Sequence, residues 1–138
     1  MDKNQIYQFV SEQKTAFIAS VNDQVFPVIR AMLAPRKIEG NEIYFTTNTS
    51  SNKIKQFTAN NMACVYFYKR SKFKYQGVSI IGEMEICTDQ PTKDLIWRSG
   101  DEMFYKQGVT DPDYCVLKFK CKVAEYYCDF KTEKIELL

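Results

Sequence analysis

The chain has 138 residues, 45% hydrophobic and 26% charged, a composition that suits one folded domain with a core and argues against disorder. Nineteen basic against seventeen acidic residues leave a formal charge of +2, too small by itself to imply a nucleic-acid partner. There is no histidine, which excludes Ser-His and Cys-His nucleophile systems and removes the commonest ligand of catalytic zinc.

The first residues, Met1-Asp2-Lys3-Asn4-Gln5, are polar, and no apolar run approaches membrane-spanning length; the expectation is a soluble, cytoplasmic protein with no membrane partner. Residues 4–13 are predicted as a short amphipathic helix with Ile6, Phe9 and Val10 on one face and Asp2 or Asn4 as cap. Residues 15–21 read as a strand, Asn22-Asp23 as a turn, and 25–33 as a second strand. Pro27 cannot donate to a ladder, so it belongs near that strand's start or on an edge. Alternation puts Val28, Arg30 and Met32 on one face and Ile29, Ala31 and Leu33 on the other. A lone Arg among apolar neighbours needs an anionic partner, and no carboxylate in the strand supplies one.

After the turn Glu39-Gly40-Asn41, the stretch from Ile43 to Thr49 has the β-branched and aromatic residues of a buried strand. It runs through Thr46, Thr47 and Asn48 into a helix predicted over 51–59, with Ser50 or Ser51 as cap and Lys53 in the first turn. Free N–H groups, the positive end of the helix dipole, hydroxyls and an ammonium converge there, which suits an anion. Extending a two-residue Gly40-Asn41 turn along both strands places Arg30 opposite Ser51, so Arg30 and Lys53 could grip one ligand.

Ile54 and Phe57 face the core, and Asn60-Asn61 end the helix. Residues 62–68 and 75–87 are predicted strands; Glu83 and Glu85, on one exposed face, are read as meeting water rather than as an acid/base pair. Helices are expected over 92–97 and 102–105, with Trp97 and Phe104 as packing or dimer contacts. Past the turn Asp111-Pro112-Asp113, a strand over 114–123 sets Leu117, Phe119, Cys121 and Val123 opposite lysines. Strands over 125–130 and 134–137, split by a turn at Lys131-Thr132, finish the chain. Six or more mostly antiparallel strands with short helices predict a single domain over 1–138, mainly β, built as a closed or nearly closed barrel with helices packed outside.

The five cysteines contain no Cys-x-x-Cys pair, and their odd number argues against a disulfide framework. They are read as small hydrophobes, so any redox chemistry would need a bound cofactor. Residues 66–75 interleave Tyr and Phe with Lys and Arg, the pattern of a single-strand nucleic-acid platform. A solvated lysine loop between two core strands is preferred, since the overall charge is small.

Three separated stretches resemble the pyridoxamine 5′-phosphate oxidase-like family of flavin-binding split β-barrels. They are Arg30-Ala31-Met32-Leu33, then Tyr44 through Lys53, then Gln76-Gly77-Val78-Ser79-Ile80-Ile81-Gly82-Glu83. Asp111-Pro112-Asp113-Tyr114 resembles the small stress-protein branch. The resemblance implies that Arg30 and Lys53, helped by Ser51 and Asn52, clamp the phosphate of flavin mononucleotide (FMN). It implies that Ala31, Met32 and Leu33 line the isoalloxazine ring, that Thr46 and Thr47 reach its polar edge, and that Gln76 or Gly77 sits near the ring or ribityl chain. It also implies a homodimer with the cofactor between subunits, a small-molecule substrate and oxidoreductase activity. Asn52 stands where many members carry Arg, which weakens the clamp and leaves a deazaflavin or haem as alternative cofactors. The Arg-x-His segment of true pyridoxamine phosphate oxidases is missing, so vitamin B6 oxidation is not expected. A flavin-storage protein without turnover, or a nucleic-acid-binding barrel, are the rival functions.

Overall fold

The computed structural model describes all 138 residues. Asp2 caps helix α1 (Lys3–Ser11) through a reciprocal capping box with Gln5, both bonds 2.9 Å, and the helix buries Ile6, Phe9 and Val10. Eight strands follow: β1 (Thr15–Val21), β2 (Pro27–Leu33), β3 (Lys37–Glu39), β4 (Glu42–Asn48), β5 (Met62–Arg70), β6 (Tyr75–Cys87), β7 (Tyr114–Cys128) and β8 (Lys131–Glu136). Helix α2 (Asn52–Ala59) joins β4 to β5, and α3 (Gln90–Ile96) follows β6. The strands form one antiparallel sheet in the order β2-β1-β5-β6-β7-β4-β3, with β8 also on β7. No helix is long and apolar enough to cross a membrane.

The two long central strands curl this sheet. The first half of β7 pairs with β4 and its second half with β8, while β6 runs beside both halves, and β7 bulges at Lys122, opposite Ile81/Gly82. Gly82 permits that bulge, because a Cβ there would lie 2.1 Å from the carbonyl oxygen of Lys120. Inward-facing side chains of every second residue, among them Ile18, Phe45, Phe67, Ile80 and Phe119, fill the interior, and Phe57 of α2 packs against them. Each such aromatic contributes about 2–3 kcal/mol through burial. A smaller apolar cluster joins α3 to β4 and β7, with Trp97 and Tyr105 against Tyr114 at centroid distances of 5.1 and 5.0 Å.

The barrel is split. β2 pairs only with β1, and β4 beyond Tyr44 pairs only with β7, so residues 31–33 and 46–48 present unpaired edges across a gap. This corrects the expected β2–β4 register. The Gly40-Asn41 turn does make a hairpin, but its outer strand is the three-residue β3, and the chain between β2 and β3 departs from it. Arg30 lies opposite Ile18 instead of Ser51.

Two further expectations change. β7 is one strand of 15 residues, and the turn into β8 is Asp129-Phe130, both with positive φ (51° and 64°), as a two-residue hairpin turn of the primed type demands. That conformation is uncommon for Phe, which is why the more polar Lys131-Thr132 looked like the turn. Glu83 and Glu85 are not left to water: Glu83 pairs with Lys122 at 2.6 Å and Glu85 with Lys118 at 3.3 Å, across the β6–β7 ladder.

Candidate functional site

The gap between the β2 and β4 edges is a cavity of about 650 Å³, lined also by Lys53 of α2, Arg36, Asp113 and residues 103–105. Ala31, Met32 and Leu33 form one wall, and Thr46, Thr47 and Asn48 the other, with Lys53 between them.

Arg30 projects from the inward face of β2. Its Nη1 donates to the Ile18 carbonyl at 3.1 Å and to Ser20 Oγ at 2.9 Å, and its Nη2 donates to Gln56 Oε1 at 2.9 Å. These acceptors are all neutral. A guanidinium has five N–H donors, so the Nε–H and one Nη2–H remain free of these contacts. Burial lowers its pKa, and no carboxylate opposes the shift.

Lys53, in the first turn of α2, is half-buried, and its pKa is lowered by burial first and by the positive charge of Arg30 second. Arg30 is bonded to Gln56, one turn along α2 from Lys53, and neither cation has a carboxylate partner within ion-pair distance. Ser51 occupies the N-cap position of α2, but its hydroxyl donates back to the Asn48 carbonyl at 2.9 Å, so the expected side-chain cap is not made. The first N–H groups of an eight-residue helix thus stay open beside Lys53. The turn before them is held by Asp113, whose carboxylate accepts from Ser50 N at 2.9 Å and Ser50 Oγ at 3.2 Å. Two cations with no ion-pair partner beside open amides are what a dianion neutralises, and the one carboxylate lining the cavity, Asp113, is engaged by Ser50.

Arg30 and Ser51 adjoin the cavity through their neighbours Ala31 and Lys53 but do not line it, and the remaining expected residues lie farther away. Asn52 is exposed and lines a separate shallow cavity with Lys55 and Asn22. Gln76 lines a third, beside α1, where its Nε2 donates to Tyr126 OH at 2.5 Å. Gly77 sits against Tyr66, whose hydroxyl would lie 2.3 Å from an added Cβ. Within one chain neither Gln76 nor Gly77 touches the β2–β4 cavity. Trp97 packs as expected, whereas Phe104 is 65% exposed at the cavity rim.

Several site residues had no signal in the sequence. Ser20 and Gln56 hold Arg30, and only the one-turn spacing of Gln56 from Lys53 hinted at a shared helix face. Arg36 and residues 103–105 reach the cavity through chain folding far from any motif. Burial raises the Cys115 thiol near Lys53, and pushes Cys87 to about 11 and Cys121 to about 12, so these three stay protonated.

The family model described as "Pyridoxamine 5′-phosphate oxidase like" matches residues 2–137. No curated protein matches the chain. Among solved structures, a Clostridium acetobutylicum protein related to general stress protein 26 is 28% identical, covering 97% of this chain and 93% of its own, with a TM-score of 0.84. General stress protein 26 of Bacillus anthracis is 20% identical over 96% of this chain and 97% of its own (TM-score 0.75). A pyridoxamine 5′-phosphate oxidase-related, FMN-binding protein of Nostoc punctiforme is 15% identical over 90% and 82% (TM-score 0.74). These last two likenesses show the split-barrel fold alone. With the family model spanning nearly its whole length, the chain belongs to the pyridoxamine 5′-phosphate oxidase-like family.

Proposed function

We propose that this protein binds FMN in the β2–β4 cavity and acts as a flavin-dependent oxidoreductase on a small molecule other than a vitamin B6 phosphate. The observation that carries the reading is the pair Arg30 and Lys53, drawn together without a carboxylate at the open end of α2. In this reading the two cations, with Ser51 and the α2 amides, hold the phosphate. The free edge of Ala31, Met32 and Leu33 lies along the ring, and Thr46 and Thr47 meet its polar margin. Asn52, Gln76 and Gly77 act only through a second copy or not at all. FMN when bound supplies acceptance and release of hydride or electrons, and the protein supplies position and charge. Haem fits less well, since no histidine is available as an axial ligand. A deazaflavin carrying a phosphate satisfies the same clamp, and mass identification of the bound cofactor separates the two.

A homodimer belongs to the same proposal. The outward face of the sheet carries a cross-strand row, Ile29, Ala19, Cys64 and Ile81, running over four strands, with Leu33 and Met62 nearby. Four of these, Ile29, Leu33, Met62 and Ile81, are large, apolar and exposed, and such a patch favours a protein partner. A second copy is favoured as occupant because β2 borders both the patch and the cavity.

The test is FMN titration of wild type and Arg30→Ala/Lys53→Ala, with riboflavin as the phosphate-free control. Two charge-assisted contacts at about 1.5–3 kcal/mol each predict a loss of at least about 100-fold for FMN and little change for riboflavin. Reduction of the bound flavin by a nicotinamide donor, followed by reoxidation, separates an enzyme from a storage protein. Unchanged FMN affinity in the folded double variant would overturn the clamp.

A further inference from the structure

The segment after α3 holds two large apolar side chains in water at the mouth of the cavity. Gly100, at φ +103°, starts a short 3₁₀ turn (Asp101–Met103). The buried Asp101 carboxylate meets Arg36 at 2.7 and 2.8 Å and accepts from Arg98 N at 2.9 Å, and Arg98 donates to the Arg36 carbonyl at 2.6 Å. Arg36 lies just beyond β2, so the turn is fastened to the strand that walls the cavity. Met103 is left 85% exposed and Phe104 65% exposed, both lining the cavity with Tyr105. One exposed apolar residue needs no explanation. Two in succession, lining a cavity and fastened beside it by a buried bidentate ion pair, form an unpartnered apolar rim.

The charges around that rim are already engaged. Arg36 is matched by Asp101, and Asp113 accepts from Ser50. Glu102 accepts from Gly100 N, and neither Glu102 nor Lys106 lines the cavity. Resting on FMN occupancy of the cavity, we propose that Met103 and Phe104 form the contact surface for the second substrate, and that this substrate is a neutral, apolar molecule. Asp101 and Arg36 are positioning residues for that surface. An anionic substrate would meet no uncommitted cation there once Arg30 and Lys53 hold the phosphate, and a charged molecule of either sign would lose hydration against two apolar side chains.

The experiment uses protein loaded with oxidised FMN and two probes, menadione as the neutral ring and 1,2-naphthoquinone-4-sulfonate as its anionic counterpart, read through the flavin absorbance band. Menadione is expected to bind at least 10-fold more tightly than the sulfonate. Met103→Ala/Phe104→Ala should weaken menadione binding about 10-fold with FMN affinity unchanged, Phe104→Leu should keep most of it, and Asp101→Asn should weaken menadione more than FMN. FMN-loaded protein that ignores menadione, binds the sulfonate equally well, or binds menadione unaltered after the double substitution overturns the contact surface alone. Failure of wild-type protein to bind FMN overturns both this inference and the reading beneath it.

Discussion

Arg30 donates from Nη2 to Gln56 Oε1 at 2.9 Å, and that neutral oxygen, shared with the Ser20 hydroxyl, stands where a structural guanidinium would ordinarily find a carboxylate. The arrangement orients the cation without cancelling it. Gln56→Glu would cancel it at nearly constant volume. The expected result is FMN affinity at least 10-fold weaker together with an unchanged or raised melting temperature of the cofactor-free protein. Equal FMN affinity in the variant would show that the Arg30 charge does not serve the ligand.

Lys53 gives a pH dependence whose sign follows from its lowered pKa. Between that lowered value and the ordinary lysine range, the unfolded chain binds more protons than the folded one, so stability of the cofactor-free protein rises with pH across this window. A phosphate dianion reverses the balance by favouring the ammonium. FMN affinity should therefore fall as pH rises into the range where the Lys53 ammonium is lost, and Lys53→Met should bind FMN more weakly with that slope removed. Titrations at several pH values check both slopes; a wild-type affinity flat with pH would remove Lys53 from the clamp.

How much of this was legible beforehand depended on whether the signal was local. The alternation of Val28, Arg30 and Met32 against Ile29, Ala31 and Leu33 is a property of one strand, and β2 keeps it. The strand-to-helix change around Asn48 to Lys53 is likewise local, and α2 begins within a residue of its expected start. Pairing is not local. Extending the β3–β4 hairpin to Arg30 failed because a three-residue strand and the chain around Arg36 intervene, and β2 went to β1 instead. Arg30 is still tied to the helix that carries Lys53, because α2 packs against β1 and Gln56 accepts from Arg30. The Arg36–Asp101 pair spans 65 residues, and no spacing rule could have joined them.

That pair should matter for stability. Both side chains are nearly inaccessible, and Arg36 holds the Asp101 carboxyl below the usual aspartate range, with burial opposing. Breaking a buried pair leaves an uncompensated charge, so Asp101→Asn is expected to cost about 2–4 kcal/mol at neutral pH. A depressed carboxyl pKa contributes stability above its unfolded value of about 3.9 and loses it as pH falls through the folded value. The gap between variant and wild type should therefore close below about pH 4. Urea unfolding at pH 7 and pH 3.5 tests this, and a gap that is constant with pH would contradict it.

Gly82 and Gly77 offer a matched contrast within β6. An added Cβ at Gly82 meets Lys120 backbone, which cannot move without disrupting the bulge, whereas at Gly77 it meets the tip of the Tyr66 side chain. Gly82→Ala should cost about 2–4 kcal/mol and Gly77→Ala clearly less, since overpacking against a mobile ring is partly relieved by rotation. Comparable losses in thermal unfolding would mean that Tyr66 is held as firmly as the backbone, as its bond to the Tyr75 hydroxyl would allow.

The exposed row on the outer sheet face yields the last prediction. If a second copy covers Ile29 and Ile81, a carboxylate placed at either position must be buried without a partner in the dimer but stays in water in the monomer. An unpaired charge buried at an interface costs several kcal/mol, enough to dissociate a micromolar dimer. Ile81→Asp and Ile29→Asp should therefore elute as monomers in light scattering while keeping wild-type circular dichroism, and the wild type should run as a dimer. FMN affinity should fall in the same variants, because β2 borders both the face and the cavity. A monomeric wild type at micromolar concentration would leave the patch to some other partner and require the cavity to hold FMN with one chain's residues alone.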